Sequence, residues 1–137
     1  MRHNKNYKAL VAIFSLTFIF SLITSSLDVL KKYDVKATFF IAGKHANWYS
    51  TPLLRVSKEG HEIGNHTFSH PDISKLSSSQ IEDEIIKCED TLVKLIGKKP
   101  TLFRPPFGSY NEKTLSEIAQ KLGYRIILWN TVDAKDW

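Results

Sequence analysis

The stretch that decides the fold is Gly60-His61-Glu62-Ile63-Gly64-Asn65-His66-Thr67-Phe68-Ser69-His70-Pro71. Its first part, His61–Asn65, predicts a short β-strand, and its second part is a polar loop that ends at Pro71. His66 and His70 lie four residues apart in that loop, where two imidazoles can converge on one metal ion. Imidazole nitrogen suits zinc, and a catalytic zinc site would add a further protein ligand and a water. The spacing alone leaves an alternative open, since two surface histidines give the same pattern.

The segments on either side of this stretch alternate between strand and helix patterns. Before it, the sequence predicts the end of a helix at Leu27–Tyr33, a strand at Lys36–Ile41 and a helix at Ala46–Glu59. After it come a helix opened by a capping box of Ser79 and Glu82 and ended by Gly97, extended chain at Leu102–Arg104, a helix from Asn111 to Gly123 and a strand at Arg125–Trp129. This alternation predicts an α/β fold with a parallel sheet and outer helices. The strands alone do not separate an open sheet from a closed barrel.

Polar residues gather just after the predicted strands, in three clusters. They are His66 with His70, the run Arg104–Tyr110 and the run Asp133–Trp137. In parallel α/β folds, the carboxyl end of the sheet is where binding and catalytic sites are built. In the second cluster two prolines stiffen the turn, which suits an oxyanion hole, although a structural turn with a surface arginine fits the same residues. In the third cluster, acids beside Trp137 could orient a histidine or arginine and wall a pocket, or they could be solvated.

Charge and cysteine content narrow the class of protein. The net charge is +5, but Arg2, Lys5 and Lys8 precede the first acid, Asp28, so the rest of the chain is only mildly basic. No basic stripe with interleaved aromatic residues is present, and a nucleic acid is therefore excluded as a partner. The one cysteine, Cys88, falls in step with apolar helix positions and is predicted to be a core residue.

The amino-terminal residues indicate export. Residues 1–8 are basic, residues 9–23 are uncharged, and Thr24, Ser25 and Ser26 are small, which are the three parts of a secretory signal. The uncharged run is shorter than the roughly 20 residues that span a bilayer. Residues 1–26 are therefore predicted to be a signal peptide or membrane anchor, which contacts the membrane only through residues 9–23 and leaves the rest outside the cell. A buried element of the domain is the alternative.

Taken in order, the three clusters resemble the polysaccharide deacetylase family, also called the NodB homology domain or carbohydrate esterase family four. The matching stretches are Lys36–Phe40, Gly60–Pro71, Phe103–Asn111 and Asp133–Trp137, and the resemblance covers residues 27–137 as a partial domain. The resemblance implies a distorted (β/α) barrel that in this chain lacks the first strand and the C-terminal strands. It also implies a metal-dependent hydrolase that removes N-acetyl groups from a cell-wall or chitin-like polysaccharide.

The resemblance further implies roles for single residues. His66 and His70 correspond to two imidazole ligands of the metal, Arg104 to the arginine that braces the catalytic base, the main-chain amide of Phe107 to the oxyanion donor, Asp133 to the acid that tunes a later histidine, and Trp137 to part of the pocket wall. The implied cofactor is a divalent metal, zinc with cobalt or nickel as alternatives, weakly held by the two imidazoles. The implied partner is an acetylated glycan, either peptidoglycan or a chitin oligomer.

The chain departs from the pattern of the family in two places. The family opens with a strand ending in Thr-Phe-Asp-Asp-Gly-Pro, which supplies the base and the third metal ligand. Here Leu16-Thr17-Phe18 is followed by Ile19 and Phe20, and Asp28 matches the helix after that motif. The later histidine that serves as the acid is also missing. We therefore expect a deacetylase that is crippled in this chain. The alternatives are a truncated or decayed domain that at most binds glycan, and a membrane-anchored protein whose domain is a spacer.

Overall fold

The computed structural model describes residues 21–128 of the 137 residues of the chain. Helix α1 covers residues 21–32. The elements that follow are strand β1 (Thr38–Ile41), the short helix α2 (Gly43–Ala46), helix α3 (Ser50–Lys58), strand β2 (Glu62–Asn65), helix α4 (Ser78–Ile96), strand β3 (Leu102–Phe103), helix α5 (Glu112–Leu122) and strand β4 (Arg125–Ile126). Two single 3-10 turns lie at Ile73–Lys75 and Pro106–Gly108.

The chain divides after Lys36 into two compact units. In the first unit α1 ends in a turn, where the Val35 N–H donates to the Leu30 carbonyl at 2.9 Å. Among residues 21–128, every helix is too short or too polar to cross a membrane. The predicted signal peptide or anchor, residues 1–26, lies mostly outside the described residues. Only its residues 21–26 are described, and they form the start of the described part of α1.

A parallel sheet in the order β1-β2-β3-β4 organises the second unit. In its register Ile41 lies beside Asn65, and Asn65 lies beside Phe103. Helices α3, α4 and α5 make the connections between successive strands, because parallel neighbours need a crossover. The predicted α/β class with a parallel sheet is confirmed. Because the strands run in one direction, the residues that follow them, among them His66 and Arg104, start at the same edge of the sheet.

The prediction of one helix over Ala46–Glu59 is wrong. The chain forms α2, leaves the helical conformation, and begins α3 at Ser50. The physical reason is Pro52, which has no N–H and whose ring would clash with the Trp48 carbonyl inside a continuous helix. Proline is tolerated in the first turn of a helix, and Pro52 lies there in α3.

The prediction of a capping box at Ser79 and Glu82 is also wrong, since the box lies two residues earlier. Ser77 is the N-cap of α4, and its hydroxyl accepts from the Gln80 N–H while the Gln80 side chain accepts from the Ser77 N–H at 2.9 Å. Both pairs have the required spacing, so the sequence did not separate them. The helix end agrees with the prediction, because Gly97 takes the left-handed C-cap conformation with φ of 71°.

The buried stripe of α4 supplies much of the core. Ile81, Ile85, Cys88 and Leu92 are all buried and follow helical spacing. The prediction that Cys88 is a core residue is confirmed, because its side chain is fully buried and its Sγ–H donates to the Ile41 carbonyl at 3.3 Å. Burial raises the pKa of Cys88 to about 12, so the thiol stays protonated and unreactive at neutral pH.

We expect Ser77→Ala to fray the start of α4, because alanine cannot accept a hydrogen bond from the Gln80 N–H. Loss of such a cap costs about 1 kcal/mol, which corresponds to a roughly fivefold faster opening of the first turn. Amide hydrogen exchange at Gln80 and its neighbours, measured on the full chain, checks this. Ser78→Ala is the matched control, because Ser78 is exposed beside the cap, and it should leave the exchange rates unchanged. Equal acceleration by both substitutions would contradict the assignment of Ser77 as the cap.

Candidate functional site

The imidazoles of His66 and His70 converge at the carboxyl edge of the sheet. His66 Nδ1 lies 2.6 Å from the carbonyl oxygen of Arg104. A carbonyl oxygen can only accept, so Nδ1 carries the proton and His66 Nε2 keeps its lone pair. That Nε2 atom lies 3.1 Å from Nε2 of His70. Histidine ligands of metals are commonly held in this way, with the far ring nitrogen donating to a backbone carbonyl.

The spacing of the two nitrogen atoms fits a shared divalent cation. With bonds of about 2.0–2.1 Å, two nitrogens 3.1 Å apart subtend an angle of about 100° at the ion. That angle lies between the octahedral and tetrahedral values. Within residues 21–128, no group of three or more His, Cys, Asp or Glu side chains gathers that could hold a metal. The described part of the chain therefore offers two imidazole ligands.

The loop that carries the two histidines is strained. Thr67 and His70 have φ of 65° and 64°, in the left-handed region that side chains other than glycine rarely adopt. Each such residue costs about 1–3 kcal/mol, and strain of this kind collects at functional sites. The strain is held by local bonds, since the Thr67 N–H donates to Asn65 Oδ1 at 2.9 Å and the His70 N–H donates to Thr67 Oγ1 at 3.1 Å.

Asn65, at the end of β2, ties this loop to the core. Its side chain is fully buried, and its amide donates to the Ile85 carbonyl at 2.9 Å and to the Tyr124 hydroxyl at 3.2 Å. The Tyr124 hydroxyl in turn donates to Glu89 at 2.6 Å. Burial, and then the hydrogen bond to Glu89, raise the pKa of Tyr124 far above its usual value, so the phenol remains a donor. Asn65 was not predicted as a site residue from the sequence, although a polar residue closing a buried strand is a usable signal.

Arg104 contributes its backbone as well as its side chain. Its carbonyl accepts a hydrogen bond from the His66 Nδ1–H, and its own N–H donates to the Asn65 carbonyl at 3.1 Å. The guanidinium lies over the ring of Phe40, with Cζ 4.1 Å from the centroid, and Nε donates to the Ile127 carbonyl at 3.4 Å. The family resemblance implied a role for the Arg104 side chain, whereas the role of its carbonyl is visible only in the structure.

Phe107 lies against the histidine pair. Its ring packs edge-on to His70 with centroids 4.8 Å apart, and half of its surface is exposed. Its φ of 59° is left-handed, inside the stiff turn that the prolines form. The structure therefore brings together His66, His70, Arg104 and Phe107. Asp133 and Trp137 lie outside the described residues, and their roles stay predictions.

Two further residues near the pair were not singled out from the sequence. His45 in α2 lies beside Trp48, with ring centroids 5.1 Å apart, and 64% of the Trp48 surface is exposed. Burial lowers the pKa of His45, and the charges of Lys44 and His70 lower that pKa further. Trp48 thus forms an exposed aromatic surface next to His45.

Comparison with known proteins places the chain in a family. The family model described as "Polysaccharide deacetylase" matches residues 20–127. A peptidoglycan-N-acetylglucosamine deacetylase from Bacillus cereus is 41% identical over 111 residues, which are 81% of this chain and 40% of that protein. This chain thus spans less than half the length of that curated relative.

Solved structures agree with this match. The peptidoglycan deacetylase PdaC from Bacillus subtilis is 38% identical with a TM-score of 0.72, over 79% of this chain and 52% of the other. A CE4 family pseudoenzyme from Bacillus anthracis is 31% identical with a TM-score of 0.75, over 80% of this chain and 39% of the other. The resemblance seen in the sequence and the expected barrel type of the fold are confirmed by these neighbours. This chain belongs to the polysaccharide deacetylase family.

Proposed function

We propose that His66 and His70 bind a divalent cation, and that the protein acts in removing N-acetyl groups from an acetylated glycan. The carrying observation is the pair of Nε2 atoms 3.1 Å apart, with His66 Nδ1 donating to the Arg104 carbonyl so that Nε2 is the His66 nitrogen directed toward His70. Zinc suits the two nitrogen ligands, and cobalt or nickel are alternatives. Peptidoglycan is the proposed substrate because the Bacillus cereus relative is named a peptidoglycan-N-acetylglucosamine deacetylase. Chitin oligomers are the alternative substrate.

The chemistry proposed is hydrolysis of the acetamide bond. A bound cation would supply an acidified water and would polarise the carbonyl of the acetyl group. His66 and His70 hold the cation at the edge of the sheet, and the strained loop fixes their directions. The Phe107 main-chain amide is proposed as the donor to the oxyanion, since a rigid turn keeps such a donor aimed before charge develops. Asp133 and Trp137 keep the roles that the family resemblance implies.

The catalytic power of this chain is proposed to be low. By the resemblance, the base and the third ligand come from adjacent aspartates, yet the sequence has Ile19 and Phe20 after Thr17-Phe18 and no acid before Asp28. A water on a cation held by two imidazoles is poorly placed and weakly acidified. Glycan binding without catalysis is therefore the second candidate function. The likeness to a CE4 family pseudoenzyme supports this candidate.

Export to the outer face of the membrane is part of the proposal, because peptidoglycan lies there. The basic head and the uncharged run of residues 9–23 support it. We expect fractionation of cells that express the full chain to find it in the membrane or the medium, cleaved or intact. Recovery of intact protein wholly from the cytosol would overturn this part and would favour residues 9–23 as an element of the domain.

For the metal, we expect calorimetric titration of the full chain with zinc chloride to show weak binding that His70→Ala or His66→Ala abolishes. Each substitution removes one of only two imidazole ligands. His45→Ala is the matched control, because it removes a neighbouring imidazole that is not part of the pair, and it should retain binding. Equal binding by the wild type and His70→Ala would contradict the proposed site.

For the reaction, we expect acetate release from peptidoglycan and chitin oligomers, with zinc or cobalt added, to be at least about 10²-fold slower than with the Bacillus cereus relative. A general base alone is worth roughly 10²–10⁴-fold. A rate near that of the relative, lost in His66→Ala, would disprove the low activity. A chimera that carries the family's Thr-Phe-Asp-Asp-Gly-Pro strand ahead of Leu27 should gain activity, and His66→Ala in the chimera should remove that gain.

A further inference from the structure

Glu84 in α4 accepts hydrogen bonds from the middle of the loop between His66 and His70. Its Oε2 atom accepts from the Phe68 N–H at 3.0 Å and from the Ser69 N–H at 2.7 Å. Its Oε1 atom accepts from the Ser69 hydroxyl at 2.8 Å. Phe68 and Ser69 lie between Thr67 and His70, so one side chain fifteen residues away in sequence fixes the centre of the loop.

The loop presents a matched set of hydrogen-bond donors to the Glu84 carboxylate. Two successive N–H groups point at one oxygen, which is an arrangement of backbone dipoles that favours a negative charge. Hydrogen bonds to a charged carboxylate are roughly twice as strong as neutral ones. The residues flanking the two amides, Thr67 and His70, are the strained ones, and strained conformations persist only where the surroundings over-determine them. Glu84 lies outside the loop, and its hydrogen bonds to Phe68 and Ser69 help to hold the loop in this strained conformation.

The opposite side of the loop is held as firmly. The Gly43 N–H donates to the Thr67 carbonyl at 3.0 Å, and the Lys44 N–H donates to the Phe68 carbonyl at 2.9 Å. A Cβ added at Gly43 would lie 2.7 Å from the Phe68 ring and 3.0 Å from the Cys88 backbone, so a glycine at this position lets α2 lie this close to both. The loop is therefore held by hydrogen bonds from the backbone of α2 on one side and by the Glu84 carboxylate of α4 on the other.

We propose that Glu84 is a positioning residue for the histidine pair. Its carboxylate keeps Phe68 and Ser69 in place, and through them it sets the separation and direction of the His66 and His70 imidazoles. Glu84 is not a metal ligand, since its oxygens are engaged by the loop. This inference rests on the proposed cation binding for its metal readout, and on the geometry of the metal-free loop for its second readout.

The test compares the zinc affinity and the cobalt absorption spectrum of the wild-type full chain with those of three variants. Residues that orient metal ligands typically contribute 10–100-fold to affinity, so we expect Glu84→Ala to bind zinc roughly tenfold or more weakly, with an altered cobalt spectrum. Glu84→Gln should recover most of the affinity, because its carbonyl can accept from both amides and its NH2 can donate to the Ser69 hydroxyl. Asp83→Ala is the matched control, because Asp83 is exposed on the same helix, and it should behave as the wild type.

A second readout needs no metal. In the metal-free protein, the NMR contact between the imidazole rings of His66 and His70, whose centroids are 4.8 Å apart, should weaken in Glu84→Ala and persist in Glu84→Gln and Asp83→Ala. An unchanged ring contact in folded Glu84→Ala would overturn the inference whatever the metal does. Failure of the wild type to bind zinc would instead overturn the proposed function.

If circular dichroism shows that Glu84→Ala does not fold, the same two measurements are made on Glu84→Asp instead. Aspartate keeps the charge but is one methylene shorter, so it cannot reach both amides and the hydroxyl at once. We expect weaker zinc binding and a weaker ring contact in this variant. A folded Glu84→Asp protein with the ring contact and zinc affinity of the wild type would overturn the inference.

Discussion

The buried side-chain amide of Asn65 is the contact on which the arrangement of the site depends. It closes β2 and meets three elements at once, because it accepts from Thr67 in the loop and donates to Ile85 in α4 and to Tyr124 ahead of β4. A buried polar group left without a partner costs about 1–3 kcal/mol, so a fully buried amide is stable only where its donors and acceptor are all engaged. Here they are, and the start of the histidine loop is therefore fixed to the core.

From that fixed start, the loop is bent into a shape it would not adopt alone. Thr67 and His70 have left-handed backbone, and in this loop the imidazole of His70 lies against that of His66. Free-energy costs of this kind are offset by the surroundings, here by α2 on one side and the Glu84 carboxylate on the other. Rigidity of the loop matters for a site with two imidazole ligands, because fewer ligands leave more of the geometry to the scaffold.

The site also depends on the pairing of neighbouring strands. Arg104 directly follows the last residue of β3. Its N–H donates to the Asn65 carbonyl and its carbonyl accepts from His66 Nδ1, so the chain after the neighbouring strand sets the tautomer of His66. The parallel direction of β2 and β3 makes this possible, since the carboxyl ends of both strands lie at one edge. At that edge lie the His66–His70 pair, the stiff turn at Pro105 and Pro106, and the ring of Phe107. The geometry of this edge is therefore what the proposed cation binding rests on.

The sequence by itself determined the α/β class, the loop position of His66 and His70, the glycine ends of α4 and α5, and the core position of Cys88. These follow from local rules, because a strand–helix alternation, a glycine at a helix end and an apolar stripe are each visible within one short segment. The motifs in series also determined the family. Pro52 shows that a local signal can be overlooked, since it was present in the sequence and decides where α3 starts.

Only the tertiary structure decided which groups support the histidines. Asn65 and Tyr124 are 59 residues apart, His66 and the Arg104 carbonyl are 38 apart, and Glu84 and Ser69 are 15 apart. No periodicity in the sequence connects such positions. Because every residue has a backbone carbonyl, the residue type at position 104 does not indicate that its carbonyl binds His66. Their partners are chosen by the packing of α4 and β3 against the end of β2, which exists only once the chain has folded.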